Sequence, residues 1–274
     1  MADSTPDKDK KEEEQQKPQF TDLQILAAEQ AIRDDEARVN ALISLPNPLG
    51  LLLDEYSDNP SFLTKIHSLF DLGFSQFRKC RGDGNCFYRA FTFAYFARTL
   101  THPARFLART KRELKDAYDL LLAQGFDRMV IEDFMDVAED TVRAIEQKTI
   151  YDLDMLTARF QVDEISNALV VIVRFAVSAY LQLHEDEYYP FVMDDADSML
   201  QYCNHYVEAV GRDADHIHLT VVSKIFHVNF SVAYLDAGSS TKATIHTFEG
   251  DDENKQDVIA LLYRPGHYDL LYRD

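Results

Sequence analysis

Up to Leu181 the apolar residues of this chain keep a helical spacing, and beyond residue 225 they give way to four short extended runs. The chain therefore builds its helices first and assembles a sheet late, by hairpins. Thr21 with Gln24 forms a capping-box pattern, and Ile25, Ala28, Ile32, Val39 and Leu42 then recur at helical spacing until Pro46, which predicts a long amphipathic helix. Asn59 as cap with Pro60 at the first position predicts a second helix, with Phe62, Ile66, Leu69 and Phe70 facing inward and Gly73 ending it. A third follows the glycine-rich turn at 82–84, with Phe87, Ala90, Phe91, Ala94 and Tyr95 along one stripe. Further helices are expected at 105–123, closed by Gly125, at 132–147 and at 167–181. The last is rich in β-branched residues (Val170 to Val173), so a strand competes with it and only length disfavours the strand. Strands are expected at 228–235, 243–248, 258–263 and 267–272, the last two joined by a three-residue turn, Arg264-Pro265-Gly266.

Composition narrows the function. A formal net charge of -19 argues against a nucleic-acid surface, which needs clustered Lys and Arg. Three cysteines, an odd number without paired spacing, give no disulfide framework and no metal or redox box, which points to a reducing compartment: the cytoplasm, with the nucleus as a second location. Residues 1–20 are polar and charged, carry no secretory pattern and are expected to be a disordered tail; 21–274 then form one domain, with 21–45 as a helical arm. The most apolar stretch, Ala168 to Leu181, is interrupted by Arg174 and is read as a buried core helix, too short to span a bilayer.

The segment from Arg81 through Gly82, Asp83, Gly84 and Asn85 to Cys86 puts a thiol where a glycine turn becomes a helix. A free thiol near pKa 8.5 is only about 3% thiolate at neutral pH, and a helix N-terminus together with an imidazolium favours the thiolate. The turn also exposes backbone N–H groups, and its glycines let a substrate carbonyl approach them, as an oxyanion hole requires. A base for Cys86 stands about 180 residues later, His267 at the start of the last strand. Asp269, two residues on, shares its face of the strand and can orient the ring.

Other residues admit two readings. Cys86 could be a small core hydrophobe, Cys80 a second reactive thiol or a strand-packing residue, and Cys203, beside Met199, Leu200, Tyr206 and Val207, a packing residue. Asp213, Asp215, His216 and His218 suggest metal ligands at first sight, but residues two apart on a helix diverge and no further ligand sits at a recognisable spacing, so no metal site is expected.

Asp83-Gly84-Asn85-Cys86 with Phe87, Tyr88, Arg89 and Ala90, together with His267-Tyr268-Asp269, resembles the ovarian-tumour superfamily of deubiquitinases. The helical insert between the motifs, Asp215-His216-Ile217-His218 and the run from Leu262 to Asp269 are similar to its otubain branch. The resemblance implies a papain-like α+β fold, with a small, mainly antiparallel sheet packed between helices. It implies a thiol protease without cofactor that cleaves after the C-terminal glycine of ubiquitin, with the proteasome-targeting linkage as first guess; a protease for a ubiquitin-like modifier is an alternative. By the same resemblance Cys86 is the nucleophile, His267 the general base, Asp269 its orienting partner, and the N–H groups of Asp83 and Cys86 the oxyanion hole. The implied partners are ubiquitin and polyubiquitin, and the chain is expected to be a monomer. A non-catalytic alternative has it bind and restrain ubiquitin-conjugating enzymes. His216 would meet the distal ubiquitin or else be a satisfied helix-start histidine. Tyr188, Tyr189 and Phe191, behind an acidic rim at 185–187, would receive ubiquitin's hydrophobic patch, with Tyr189 and Phe191 as the contacts, or pack in the core.

Overall fold

The computed structural model describes residues 31, 38–250 and 258–273. The expected tail at 1–20 and most of the arm at 21–45 lie outside the described residues. The described end of the arm departs from expectation, because the helix stops at Val39 and Leu42 is not part of it. The backbone there is taken up by sheet-like pairing instead: Arg81 N–H donates to Leu42 O at 3.1 Å, Ser44 N–H to Lys79 O at 2.8 Å, and Ile43 forms an antiparallel bridge with Cys80.

Among the described residues one sheet holds six strands, β1 (Asn47–Pro48), β2 (Phe74–Arg78), β3 (Asn229–Tyr234), β4 (Thr244–Phe248), β5 (Val258–Arg264) and β6 (His267–Arg273), in the order β1-β2-β6-β5-β3-β4. All neighbours pair antiparallel except β3 with β5, which run parallel because β4 leaves β3 for the outer edge. The sheet is therefore not built from the late hairpins alone: β2, which the sequence reading left out, pairs with β6 across most of the chain. The turn between β5 and β6 is also shorter than expected. Arg264 stays in the ladder opposite His267, leaving Pro265 and Gly266 as the whole loop, with Gly266 at φ 73°, the residue order a type II turn requires.

Helices cover both faces of the sheet. On one side α1 (Leu51–Glu55) and α2 (Pro60–Asp71) enclose a small core of Leu52, Phe62, Ile66, Leu69, Phe77, Leu262 and Leu271. The Asn59 side chain caps α2 by accepting the Phe62 N–H at 3.2 Å. Phe70 was expected inside but is 39% exposed, since the buried stripe runs through Phe62, Ile66 and Leu69 and the next residue turns away from it.

The other side is the helical body: α3 (Cys86–Thr101), α4 (Pro103–Ala123), α5 (Arg128–Glu146), α6 (Leu153–Phe160), α7 (Asp163–Leu183), α8 (Glu185–Tyr188), α9 (Met199–Tyr202) and α10 (His216–Ile225). α6 was not foreseen; Asp152 caps it through the Met155 N–H at 2.8 Å. The β-branched run lies in α7, a helix long and apolar enough to cross a membrane by length and composition. Burial rather than length decides its place: α7 packs against α3, α4, α5 and α10, with Val170, Ile172, Val173, Ala176 and Val177 all buried. α9, in which Leu200 is exposed, runs on into a π-helical turn at Cys203–Val207, where Cys203 is buried.

Candidate active site

The chain leaves β2 and turns through Arg81–Asn85 before α3 begins at Cys86. Gly84 sits at φ 75°, and a Cβ added there would lie 2.1 Å from Gly211 O, so both conformation and close approach demand glycine. Asp83 closes the turn from one side, accepting the Asn85 N–H at 3.0 Å and pairing with Arg89 at 2.5 Å. Arg89 is fully buried and also donates to the Ser166 hydroxyl at 2.6 Å. From the other side Asn85 Oδ1 accepts from Arg174 at 2.8 Å and from Gly211 N–H at 3.0 Å. Cys86, 2% exposed, opens α3, so its own N–H belongs to the group that no intrahelical carbonyl reaches.

β6 meets this helix start. The Tyr268 N–H donates to Cys86 Sγ at 3.4 Å, which brings His267 beside the thiol. His267 Nε2 lies 2.8 Å from Asp269 Oδ1, and a carboxylate can only accept, so Nε2 carries a proton and Nδ1 is left for Cys86. Burial alone would lower the imidazole pKa, but hydrogen bonds to Asp269 and Cys86, with their negative charge, raise it from 6.5 to about 10. Asp269 is itself fully buried. Burial pushes its carboxyl up, and His267, the Arg264 charge and the Cys80 N–H outweigh that and hold it below the usual range. The Cys80 N–H donates to Oδ1 at 2.9 Å and Arg264 to Oδ2 at 2.6 Å. The arrangement can carry a thiolate–imidazolium pair with its proton held on the ring.

The remaining candidates separate. Burial first, then the charge of Asp269, pushes the Cys80 thiol well up, and burial pushes Cys203 to about 12; both are packed side chains. His218 is buried, caps the start of α10 through the Asp215 N–H at 3.3 Å, and is lowered by burial to about 4. His216 points elsewhere, stacked on Tyr234 with its Nε2 3.0 Å from the hydroxyl, so the two histidines do not converge. No group of three or more His, Cys, Asp or Glu among the described residues is placed to hold a metal ion.

A cavity of about 500 Å³ brings His216 together with Phe191, Tyr188, Glu187, Ile217 and Lys224. Phe191 stands 77% exposed at its rim, whereas Tyr189 turns back to donate to Ala196 O at 3.2 Å and packs against the core. Of the expected cluster, Tyr188 and Phe191 line the cavity and Tyr189 does not. Four residues of the site had been given no role of their own: Asn85, Arg89, Arg174 and Arg264. Asn85 and Arg89 stood in the motif around Cys86, Arg264 in the run from Leu262 to Asp269, and Arg174 showed as a charge inside the otherwise apolar run of α7.

A thiol heading a helix, an imidazole against it and a carboxylate fixing that imidazole define a cysteine peptidase. The family model described as Peptidase C65 Otubain matches residues 35–273. The chain is 33% identical over 253 residues to ubiquitin thioesterase OTUB1 of Rattus norvegicus, covering 92% of this chain and 90% of that one. It is 31% identical over 260 residues to the ovarian tumor domain-containing deubiquitinating enzyme 1 of Arabidopsis thaliana, covering 88% and 84%. A solved complex of h/ceOTUB1 with ubiquitin aldehyde and UBC13~Ub superposes with a TM-score of 0.83 at 29% identity, over 92% of this chain and 98% of that chain. The chain belongs to the otubain family, peptidase C65, and so to the cysteine-protease deubiquitinases.

Proposed function

We propose that the protein hydrolyses the isopeptide bond between the C-terminal glycine of ubiquitin and a lysine amine, with Cys86 as nucleophile, His267 as proton carrier and Asp269 as its orienting partner. One observation carries the reading: the imidazole held by the Asp269 carboxylate at 2.8 Å belongs to the residue next to Tyr268, whose N–H donates to Cys86 Sγ at 3.4 Å, so base and thiol stand side by side. The Cys86 thiolate attacks the glycine carbonyl carbon, and the oxyanion that forms is met by the N–H groups of Asp83 and Cys86, each such donor being worth about 3 kcal/mol in the transition state. The C–N bond breaks as His267 gives its proton to the departing lysine amine, leaving a thioester on Cys86. His267, now neutral, takes a proton from water as it attacks the thioester, which frees the glycine carboxylate and restores the thiolate.

The body of the distal ubiquitin is assigned to the cavity at His216 and Phe191, an apolar rim with acidic neighbours that suits a hydrophobic patch flanked by positive charge. The solved relatives carrying ubiquitin aldehyde support ubiquitin as the ligand. Among chains, the proteasome-targeting linkage is the proposed substrate, and a panel of linkages and of ubiquitin-like fusions decides it.

The direct test mixes the protein with ubiquitin bearing a C-terminal thiol-reactive warhead. Wild type should form a covalent adduct and Cys86→Ser none; labelling retained through Cys80 sinks the assignment. A second activity, holding ubiquitin-conjugating enzymes, is favoured by the solved relatives that contain UBC13~Ub and UBCH5B~Ub. Deleting residues 1–40 should spare hydrolysis of a simple ubiquitin ester and weaken inhibition of a conjugating enzyme; unchanged inhibition rules this arm out. The proposed state is a cytoplasmic monomer, also present in the nucleus, which cell fractionation and sedimentation check.

A further inference from the structure

Two fully buried arginines lie against the nucleophile turn, and they differ in their partners. Arg89 faces the Asp83 carboxylate. Arg174, from the middle of α7, donates only to neutral oxygens: Val207 O at 2.9 Å, Gly84 O at 2.9 Å, Asn85 Oδ1 at 2.8 Å and Arg212 O at 2.6 Å. Its guanidinium carbon lies 4.2 Å from the centre of the Tyr88 ring. Residues 84, 85 and 88 thus close around the cation, and Cys86 follows directly in the chain on the Gly84–Asn85 pair that the cation holds. Asp83, Asp213 and Cys86 act on it through space alone.

A cation stripped of water and given only neutral acceptors is poorly compensated, so any negative charge that forms beside it is favoured. Turnover forms two such charges at Cys86, the thiolate and then the tetrahedral oxyanion. The start of α3 offers only about half a positive charge, whereas the guanidinium is a whole one that does not titrate in the working range.

We propose that Arg174 is a positioning residue of this reaction: it ties the Gly84–Asn85 peptide to the Val207–Arg212 segment and supplies the unpaired positive charge that favours the Cys86 thiolate. The inference rests on the reading of Cys86 as nucleophile. It makes the helical insert a participant in the chemistry, through one side chain of α7.

The test uses the full chain without ubiquitin, following iodoacetamide alkylation of Cys86 by peptide mass spectrometry from about pH 5 to about pH 9. Arg174→Gln removes the charge, and Asn85→Asp keeps the Oδ1 acceptor while cancelling the charge. Both should move the alkylation profile about one unit toward higher pH, a rate about tenfold lower on its acid limb. Arg174→Lys, which keeps the charge and loses the planar fork, should alkylate on the wild-type profile while kcat on a ubiquitin ester falls about tenfold. A folded Arg174→Gln or Asn85→Asp that alkylates on the wild-type profile reduces Arg174 to a structural tie and overturns the inference. Should Arg174→Gln not fold, Asn85→Asp decides alone. The warhead adduct is scored separately: its absence in wild type defeats the functional reading as well, whereas an adduct with coincident profiles defeats this inference only.

Discussion

With Nε2–H committed to Asp269, the His267 ring exchanges protons with thiol and substrate only through Nδ1. Asp269→Asn would remove the charge that supports the imidazolium and leave Arg264 facing a neutral amide. We expect kcat/KM on a ubiquitin ester to fall about a thousandfold or more, and unfolding free energy by about 3 kcal/mol; steady-state kinetics and urea denaturation check both. The pH dependence has two opposite limbs. His267 is raised from 6.5 to about 10, so its stabilising effect is complete below pH 6.5 and is lost as pH climbs toward 10. Asp269 is held below its ordinary 3.8, so its effect is present above that value and lost as pH falls through the folded-state pKa. The His267 ring proton resonance should therefore titrate near pH 10 in wild type, and lower in Cys86→Ser, where the thiolate is gone; an unchanged midpoint in that variant would remove Cys86 from the pair.

At the scale of the element, the nucleophile turn depends on its contact with the segment ending in Arg212. Gly84→Ala meets Gly211 backbone as well as a forbidden φ, whereas Gly266→Ala has an unfavourable φ but nothing within 4 Å. The second should cost about 1–2 kcal/mol and keep its activity, while the first should be the more destabilised and lose most of its turnover; denaturation curves paired with ester hydrolysis separate them. The same elements explain what was legible in the sequence. α2, α3, α4 and α7 carried caps, closing glycines or long apolar periodicity, all of which are local signals. His267 and Asp269 were legible because strand alternation puts them on one face. β2 was not, since Phe74–Arg78 finds its main partner in β6, far down the chain, and no five-residue window encodes that. The buried roles of Arg89 and Arg174 were illegible for a different reason: a charged side chain reads as solvated until the fold supplies the buried oxygens it binds. Leu42 fell to tertiary context, its helical spacing overridden by backbone pairing with Arg81.

At the scale of the whole molecule, the sheet joins two cores, and β6 lies inside it between β2 and β5. Removing residues 267–273 would split the sheet, uncover the partners of Leu270 and Leu271 on both faces and leave Cys86 without its catalytic neighbours. We expect such a chain to be protease-sensitive and without a cooperative thermal transition, whereas Cys86→Ser should unfold like wild type. Circular dichroism melts distinguish the two.

The position of β6 has a temporal meaning. It follows every other described element, so a ribosome that has released α3 through β5 has exposed a thiol with no imidazole to pair it. A growing chain can collapse its helical body early, yet it stays chemically silent toward the conjugates around it until the closing strand slides between its neighbours. Insertion of β6 and the onset of activity are then a single event, and any lesion that slows strand insertion should lengthen the interval in which the protein is compact but inert.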